Sequence, residues 1–218
     1  MKKFKNSIPR ETEFMKFLAI FYLVGLIGFA VPVTRDFFRQ IIPLSLLLVF
    51  VMMFFYHHKW ETKLIVALIF TALTGFAAEA AGVQTGMIFG NYHYTGILGP
   101  KILQTPLLIC FNWASLIYFV LAVAQKTKLP VILQVFIASL LMVLYDIALE
   151  PFAVKTGMWV WENNTVPLQN YFAWFALSFI LTTIWVFSGI KVKNRPAVLL
   201  FFLQILFFLI SLLLLKID

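Results

Sequence analysis

The sequence predicts an all-α polytopic membrane protein, a bundle of about seven transmembrane helices. Of its 218 residues, 62% are hydrophobic and only 12% are charged, whereas soluble domains carry about 25% charged residues. The apolar residues fall into repeated blocks of roughly twenty, the length that crosses a bilayer as a helix. Short connections join most of these blocks, so we expect one transmembrane domain over residues 1–218.

Seven apolar runs are predicted to cross the membrane. The first, 14–33, follows a basic stretch and is not followed by a small-residue cleavage site, so we expect a retained helix rather than a signal peptide. The second, 41–56, is short and has to tilt little or extend into its flanks. The other five runs each have Lys or Arg close to one end: 64–81, 106–124, 131–149, 171–190 and 197–215.

The distribution of charge predicts an orientation with the N-terminus inside. Basic residues concentrate in the segments on the same side of the membrane as the N-terminus, and the positive-inside rule makes this the inner side. The inner segments hold Lys2, Lys3, Lys5, Arg10, Lys16, Lys59, Lys63, Lys126, Lys128, Lys191, Lys193 and Arg195, and the outer ones hold Arg35, Arg39, Lys101, Lys155 and Lys216. The two longest loops, 82–105 and 150–170, then lie outside. For a bacterial host, this pattern indicates a multi-pass protein of the cell (inner) membrane. The net charge of +8 thus reflects membrane topology. Because the basic residues do not form one continuous stripe, we expect no nucleic-acid partner.

Several kinds of site are disfavoured by the sequence. Cys110 is the single cysteine, so no disulfide forms within the chain. His93 is alone in its loop and His57 and His58 lie at the other side, so no metal set is expected. Phosphate-binding, dinucleotide-binding and nucleophile-elbow motifs are absent. The last span has no lysine for a retinal Schiff base. We therefore expect neither a metal nor a cofactor.

Three carboxyl groups lie in or next to apolar runs on the outer side. About 24 Å of helix separates Lys63 from Glu79, so Glu79 reaches close to the outer boundary of a roughly 30 Å core. Asp146 reaches a similar depth, and Glu150 follows it at i+4 on the same helix face. Spans three to six contain no Lys or Arg partner. Burial of an unpaired carboxyl favours its protonated form, which a general acid needs; simple interfacial or structural roles remain the alternative.

Glycines and aromatic residues surround these acids. Gly82, Gly86 and Gly90 recur every four residues, so a continuing helix would carry a smooth groove for another helix or for a flat, rigid ligand. The nearby aromatic residues form either an ordinary interfacial belt or a set of π-faces that stabilises a cation: Phe89, Tyr92, Tyr94, Trp113, Trp159, Trp161 and Trp174.

Three stretches resemble the membrane-embedded carotenoid biosynthesis family: EAAGVQTGMIFGNYHYTGILG at 79–99, TPLLICFNWASLIY at 105–118, and DIALEPFAVKTGMWVW with VPLQNYFAWF within 146–175. The likeness covers about residues 70–190, and outside it the spans match only in being apolar. One position departs from the pattern, because Glu150 stands where an aspartate commonly precedes the proline. The family includes hydratases that add water across the terminal double bond of an acyclic carotenoid.

The resemblance implies a cofactor-independent hydratase within the lipid bilayer, with an acyclic carotenoid as substrate and the glycines and aromatic residues as its binding surface. Asp146 or Glu79 would protonate the double bond, and Trp159, Trp161 and Tyr92 would stabilise the cation. Glu150 and Asn170 would orient the attacking water, and other carotenoid-pathway enzymes would modify the alcohol. Two alternatives stay open: a carotenoid end-group cyclase, and a non-enzymatic protein that binds or transports carotenoid or lipid.

Overall fold

The computed structural model describes residues 10–57 and 59–214, which are mostly helical. The helices of the described residues are α1 Glu11–Ala30, α2 Pro32–Gln40, α3 Ile42–Phe54, α4 Thr62–Thr85, α5 Leu108–Ala124, α6 Val131–Thr156, α7 Leu168–Phe187 and α8 Arg195–Leu214. A 3-10 turn, Gln125–Thr127, follows α5. Five residues used above to predict orientation or to judge metal binding lie outside the described part: Lys2, Lys3, Lys5, His58 and Lys216.

Six of the described helices are long and apolar enough to cross a membrane: α1, α4, α5 with its 3-10 turn, α6, α7 and α8. The chain is therefore a multi-pass membrane protein, and the predicted all-helical fold class is confirmed at that level. The run predicted as the second span forms α3, which has only 13 residues, fewer than the roughly twenty that span a bilayer. The count of seven and the orientation stay predictions.

The predicted first span is broken at Pro32, which separates α1 from the short amphipathic helix α2. Val31 is held in extended backbone, as the residue before a proline prefers. The α2 side chains then satisfy the end of α1, because Thr34 Oγ1 donates to the Gly28 carbonyl at 2.8 Å and Arg35 Nε donates to the Phe29 carbonyl at 3.1 Å. Helix α2 is thus fastened across the end of α1.

The two long loops pair with each other. Strand β1, Tyr92–Tyr94, runs antiparallel to β4, Trp159–Trp161, and β2, Lys101–Ile102, pairs with β3, Thr105–Pro106. In the β1–β4 ribbon, the two tyrosines and two tryptophans are buried, whereas His93 is exposed. Side chains alternate between the two faces of a strand, so all four buried rings project from one face into the bundle.

Helix α5 lies at the centre of the bundle. In its apolar stretch, 67% of the residues are buried inside the protein, against 22–44% in the other long helices. Helices α4, α6 and α8 pack around it, α3 covers a further side, and α1 packs along α8. This arrangement brings the ends of α4, α6 and α7 together under the β1–β4 ribbon.

Candidate active site

The three carboxyl groups singled out in the sequence meet at one buried site. Glu79 near the end of α4 is 4% exposed, and Asp146 and Glu150 on α6 are 0% and 3% exposed. They line a small cavity of about 30 Å³, here called the acid pocket, together with Tyr92, Tyr94, Ile109, Asn112, Leu149, Trp159, Trp161, Asn170 and Trp174. Such a volume is sufficient for a single water molecule.

Glu79 accepts hydrogen bonds from three aromatic side chains. The hydroxyls of Tyr92 and Tyr94 both donate to its Oε2, the latter at 2.9 Å, and Trp113 Nε1 donates to Oε1 at 3.2 Å. Burial, and then the adjacent Glu79 carboxyl, raises the pKa of both tyrosine hydroxyls well above its ordinary value. Both hydroxyls therefore stay protonated at neutral pH and act as donors.

Glu150 is held by the opposite strand of the ribbon. Trp159 Nε1 and Trp161 Nε1 donate to its Oε2 at 3.1 and 2.9 Å. Helix α6 was predicted to end at residue 149, but it continues through Pro151 to Thr156. Proline removes one backbone bond, and neighbouring groups make that loss tolerable in a membrane helix. Glu150 therefore faces the interior, one turn after Asp146, rather than the water beyond the helix.

Asp146 has a fully buried carboxyl oxygen without a hydrogen-bond partner among the described residues. Asn170 Nδ2 donates to its Oδ2 at 2.6 Å, which fixes the plane of the carboxyl group. Its Oδ1 is buried, and no hydrogen-bond partner for it exists among the described residues. A protonated carboxylic acid carries one O–H donor, so Oδ1 is the position at which Asp146 can present a proton to a molecule in the pocket.

Aromatic rings form most of the remaining wall. Trp174 stacks on Trp113 with a centroid distance of 4.7 Å, and Tyr92 lies 4.8 Å from Trp161. Phe89 is buried behind Tyr92 at 6.4 Å, edge to face, and does not line the acid pocket. Indole and phenol faces within about 6 Å of a cation attract it electrostatically.

The predicted continuous helical groove of Gly82, Gly86 and Gly90 is not formed, whereas the assignment of these glycines to substrate binding stays a prediction. Helix α4 ends at Thr85, Gly86 is its left-handed cap with φ +68°, and Gly90 has φ +102°. The chain's own side chains fill the space over the other two glycines, because a Cβ would lie 2.5 Å from Phe89 at Gly82 and 2.6 Å from Pro167 at Gly90. None of these three glycines lines either cavity described here.

We predict that Gly86→Ala destabilises the protein, whereas Gly96→Ala leaves its stability nearly unchanged. An alanine at Gly86 would adopt a left-handed conformation and place its Cβ 1.9 Å from Asn91 Oδ1, which costs about 1–3 kcal/mol. Gly96 is a matched control because a Cβ added there would have no neighbour within 4 Å. Thermal unfolding in detergent should show the difference, and equal melting temperatures would contradict the role of Gly86 as the α4 cap.

A larger apolar cavity, the apolar chamber, adjoins the acid pocket. It has a volume of about 260 Å³ and shares four wall residues with the pocket: Ile109, Asn112, Leu149 and Trp159. Its other walls come mainly from α1, α2, α3, α6 and α8: Phe21, Tyr22, Val24, Gly25, Phe29, Phe38, Ile41, Ile42, Ser45, Leu46, Leu98, Leu108, Tyr145, Phe152, Met158, Gln204, Phe207 and Phe208. A cavity of about 150 Å³ holds benzene, so the chamber accommodates a branched hydrocarbon end but not a long chain.

Sequence reasoning missed this chamber, although a few polar residues inside apolar runs could have indicated it. Tyr145 donates to Gln204 Oε1 at 3.2 Å, and Asn112 stands at the wall shared with the acid pocket. Such residues are costly in a membrane and tend to mark an interior surface. Among the described residues, no group of three or more His, Cys, Asp or Glu side chains is placed to hold a metal ion.

Comparisons with known proteins agree with the resemblance described above. Residues 41–217 match the family described as carotenoid biosynthesis protein, which extends the likeness beyond the predicted 70–190 to include α3 and α8. The chain is 31% identical over 121 residues to the bisanhydrobacterioruberin hydratase of Haloarcula japonica. That similarity covers 50% of this chain and 40% of the hydratase, less than half of that protein's length. No solved structure matches the chain. Because the family match spans most of the sequence, the chain belongs to the carotenoid biosynthesis protein family.

Proposed function

We propose that this protein hydrates the terminal double bond of an acyclic carotenoid to give a tertiary alcohol, without a cofactor. One observation carries the proposal: a chamber of about 260 Å³ with mostly apolar walls adjoins an acid pocket of about 30 Å³ and shares four wall residues with it. Such a pair of cavities suits a hydrocarbon end that has to meet both an acid and a water molecule. The similarity to a carotenoid hydratase over part of the chain supports the same reaction.

Substrate binding rests on the apolar chamber. Its volume fits one branched end of the polyene, and the remainder has to extend out of it. Val24 and Gly25 of α1 and Ser45 of α3 lie in its walls, and Val24 is 49% exposed on the bundle surface. We infer that the polyene leaves the chamber between α1 and α3, where lipid surrounds its apolar length.

Proton transfer starts from Asp146. Its Oδ2 accepts the Asn170 hydrogen bond, so a proton on Oδ1 faces the pocket without a competing partner. Donation of that proton to the less substituted carbon of the terminal double bond leaves the positive charge on the branched carbon, as a tertiary cation. Asp146 is left as a carboxylate next to that charge, which lowers the energy of the cation.

The rings of the acid pocket border the site where the cation forms, and Trp159 also lines the apolar chamber that holds the hydrocarbon end. Trp159, Trp161 and Tyr92 line the acid pocket and offer π-faces to the positive charge. The same three side chains are fixed by hydrogen bonds to Glu150 or Glu79. Their orientation is therefore set before the substrate binds, as effective electrostatic stabilisation requires.

Water capture completes the reaction. A water in the acid pocket attacks the tertiary cation, and Glu150 accepts the proton that the water releases. One proton has left Asp146 and one has reached Glu150, so a proton passed between these two acids on the same helix face restores the starting state. The net change is the addition of one water molecule.

A carotenoid cyclase would share the first proton transfer but would lose a proton instead of admitting water. The three acids and Asn170 around a water-sized volume favour hydration over the dry pocket that cyclisation needs. Expression in a lycopene-producing host should yield pigment heavier by the mass of one water, and ¹⁸O-water should label it. An unlabelled product of unchanged mass with a new ring would establish the cyclase. Unchanged pigment, with good expression and several acyclic carotenoids tried, would favour a binding or transport protein.

The apolar chamber gives a prediction of its own. Gly25→Leu should reduce carotenoid binding and conversion about tenfold, because the added side chain occupies the chamber beside Phe207, which lies 3.1 Å from a Cβ at this position. Ala19→Leu places the same leucine side chain on the exposed face of α1 and should bind pigment normally. Absorbance of copurified pigment and product yield measure both effects; equal binding by the two variants would place the substrate elsewhere.

A further inference from the structure

The end of the bundle opposite the acids carries a concave cationic site, the basic pocket. It has a volume of about 380 Å³ and lies where the start of α6 meets the segment before α8. Its lining residues are Gln125, Lys126, Lys128, Gln134, Lys191, Val192, Lys193, Asn194 and Arg195. Five of these nine are cations and none is an acid, so the pocket concentrates positive potential.

The cations are presented by a backbone that is held in place. In the segment 190–195, Ile190, Val192 and Asn194 are buried, while Lys191, Lys193 and Arg195 are exposed. This alternation is that of an extended strand, which turns every second side chain to the same face. All three cations of the segment therefore face the pocket side.

Two side-chain amides fix this segment. Gln125 Nε2 donates to the Ile190 carbonyl at 3.0 Å and its Oε1 accepts from Val192 N at 2.8 Å. Asn194 donates to the Tyr118 hydroxyl at 3.1 Å and accepts from Ala197 N at 3.0 Å. A fixed backbone lowers the entropy cost of gathering long cationic side chains around a ligand.

The pocket's charge is largely uncompensated within the described part of the chain. Arg195 lies 3.9 Å from Glu11, but no described carboxylate lies within 4 Å of Lys126, Lys128, Lys191 or Lys193. The neighbouring lysines differ, because Lys59 and Lys63 both pair with Glu61. The four lysines of the basic pocket are thus available to an external anion.

Apolar surface adjoins the pocket on the membrane side. On α6, Ile132 is 59% exposed and Phe136 is 46% exposed, as expected for side chains in contact with acyl chains. A ligand with a negative headgroup and hydrocarbon tails can place the former among the lysines and the latter along this face. Basic pockets between transmembrane helices recognise lipid headgroups in this way.

We propose that the basic pocket binds the phosphate headgroup of an anionic membrane lipid from the adjoining leaflet. The site is independent of the carotenoid chemistry, since it lies at the other end of the bundle. The basic pocket also differs from a general excess of lysine at a membrane surface, because the lipid is bound by particular lysines rather than attracted by the total charge.

The test compares two variants with equal change of charge. K191Q/K193Q removes two cations of the basic pocket, whereas K16Q/K59Q removes two exposed, ion-paired lysines that do not line it. Each purified protein, shown to be monodisperse and folded, is titrated with phosphatidylglycerol, phosphatidylcholine or inorganic phosphate in neutral detergent, and bound ligand is measured by native mass spectrometry. We expect wild type to bind phosphatidylglycerol, K191Q/K193Q to bind it about thirty-fold more weakly, and K16Q/K59Q to bind it within threefold of wild type.

Three results would overturn the proposal. Equal loss of phosphatidylglycerol binding in the two variants would show that total charge alone attracts the lipid. Binding of phosphatidylcholine as tight as that of phosphatidylglycerol would remove the requirement for an anionic headgroup. Binding of inorganic phosphate as tight as that of the lipid would make the pocket a site for free phosphate.

Discussion

Asp146→Asn should lower the rate of carotenoid hydration about a thousandfold while leaving carotenoid binding intact. An amide has the shape of the carboxyl group and can still accept the Asn170 hydrogen bond, but it has no acidic proton to donate. General acids contribute about 10²–10⁴ to a rate, so most of the acceleration should disappear. Single-turnover conversion, followed by chromatography and mass analysis of the pigment, measures the loss.

The control is Glu162→Gln, which changes an exposed acid directly after the ribbon without touching the acid pocket. It should convert carotenoid at the rate of wild type. If Asp146→Asn bound pigment normally and worked within tenfold of wild type, the proton would have to come from another acid. The assignment of Asp146, though not hydration itself, would then be wrong.

Glu79→Ala should destabilise the protein by about 3–5 kcal/mol. The substitution leaves the hydroxyls of Tyr92 and Tyr94 and the indole N–H of Trp113 buried without their acceptor, and each unsatisfied buried donor costs about 1–3 kcal/mol. Glu79→Gln should cost less, because it keeps the side-chain volume and one acceptor oxygen. Chemical denaturation in detergent, followed by tryptophan fluorescence, measures both.

Glu162→Ala serves as the comparison for stability, and a change within about 0.5 kcal/mol is expected for such an exposed position. A Glu79→Ala protein as stable as this control would show that the three donors find other partners. Glu79 would then be a functional group without a structural role, and its substitution would affect conversion alone.

The acids and their aromatic partners were predictable from sequence because they stand out against their surroundings. Glu79 and Asp146 interrupt apolar runs where a charge is expensive, and the i, i+4 spacing placed Glu150 on the face of Asp146. Sequence could not assign their roles. That distinction depends on partners from distant parts of the chain, since Asn170 and the two strands of the ribbon decide which carboxyl oxygen remains unbound.

The apolar chamber was hidden for the opposite reason. A phenylalanine that faces a cavity, such as Phe29, and one that faces lipid, such as Phe17, have the same hydropathy, so composition does not separate them. The ribbon was missed because strands of three residues give too short a pattern to outweigh loop signals. The glycine spacing predicted a continuing helix because a repeat of four residues suits a helical face. Gly86 instead ends α4 in a left-handed conformation that other residues avoid.

The β1–β4 ribbon has a mechanical consequence. Tyr92 is paired across it with Trp161, and Tyr94 with Trp159. In each pair the tyrosine donates a hydrogen bond to Glu79 and the tryptophan donates one to Glu150. Any shift of the ribbon therefore strains four contacts at once, on acids from two separate helices. We expect the ribbon to move as one rigid unit that keeps its hydrogen bonds to both acids or loses them to both, with no lasting state in which only one acid is bound.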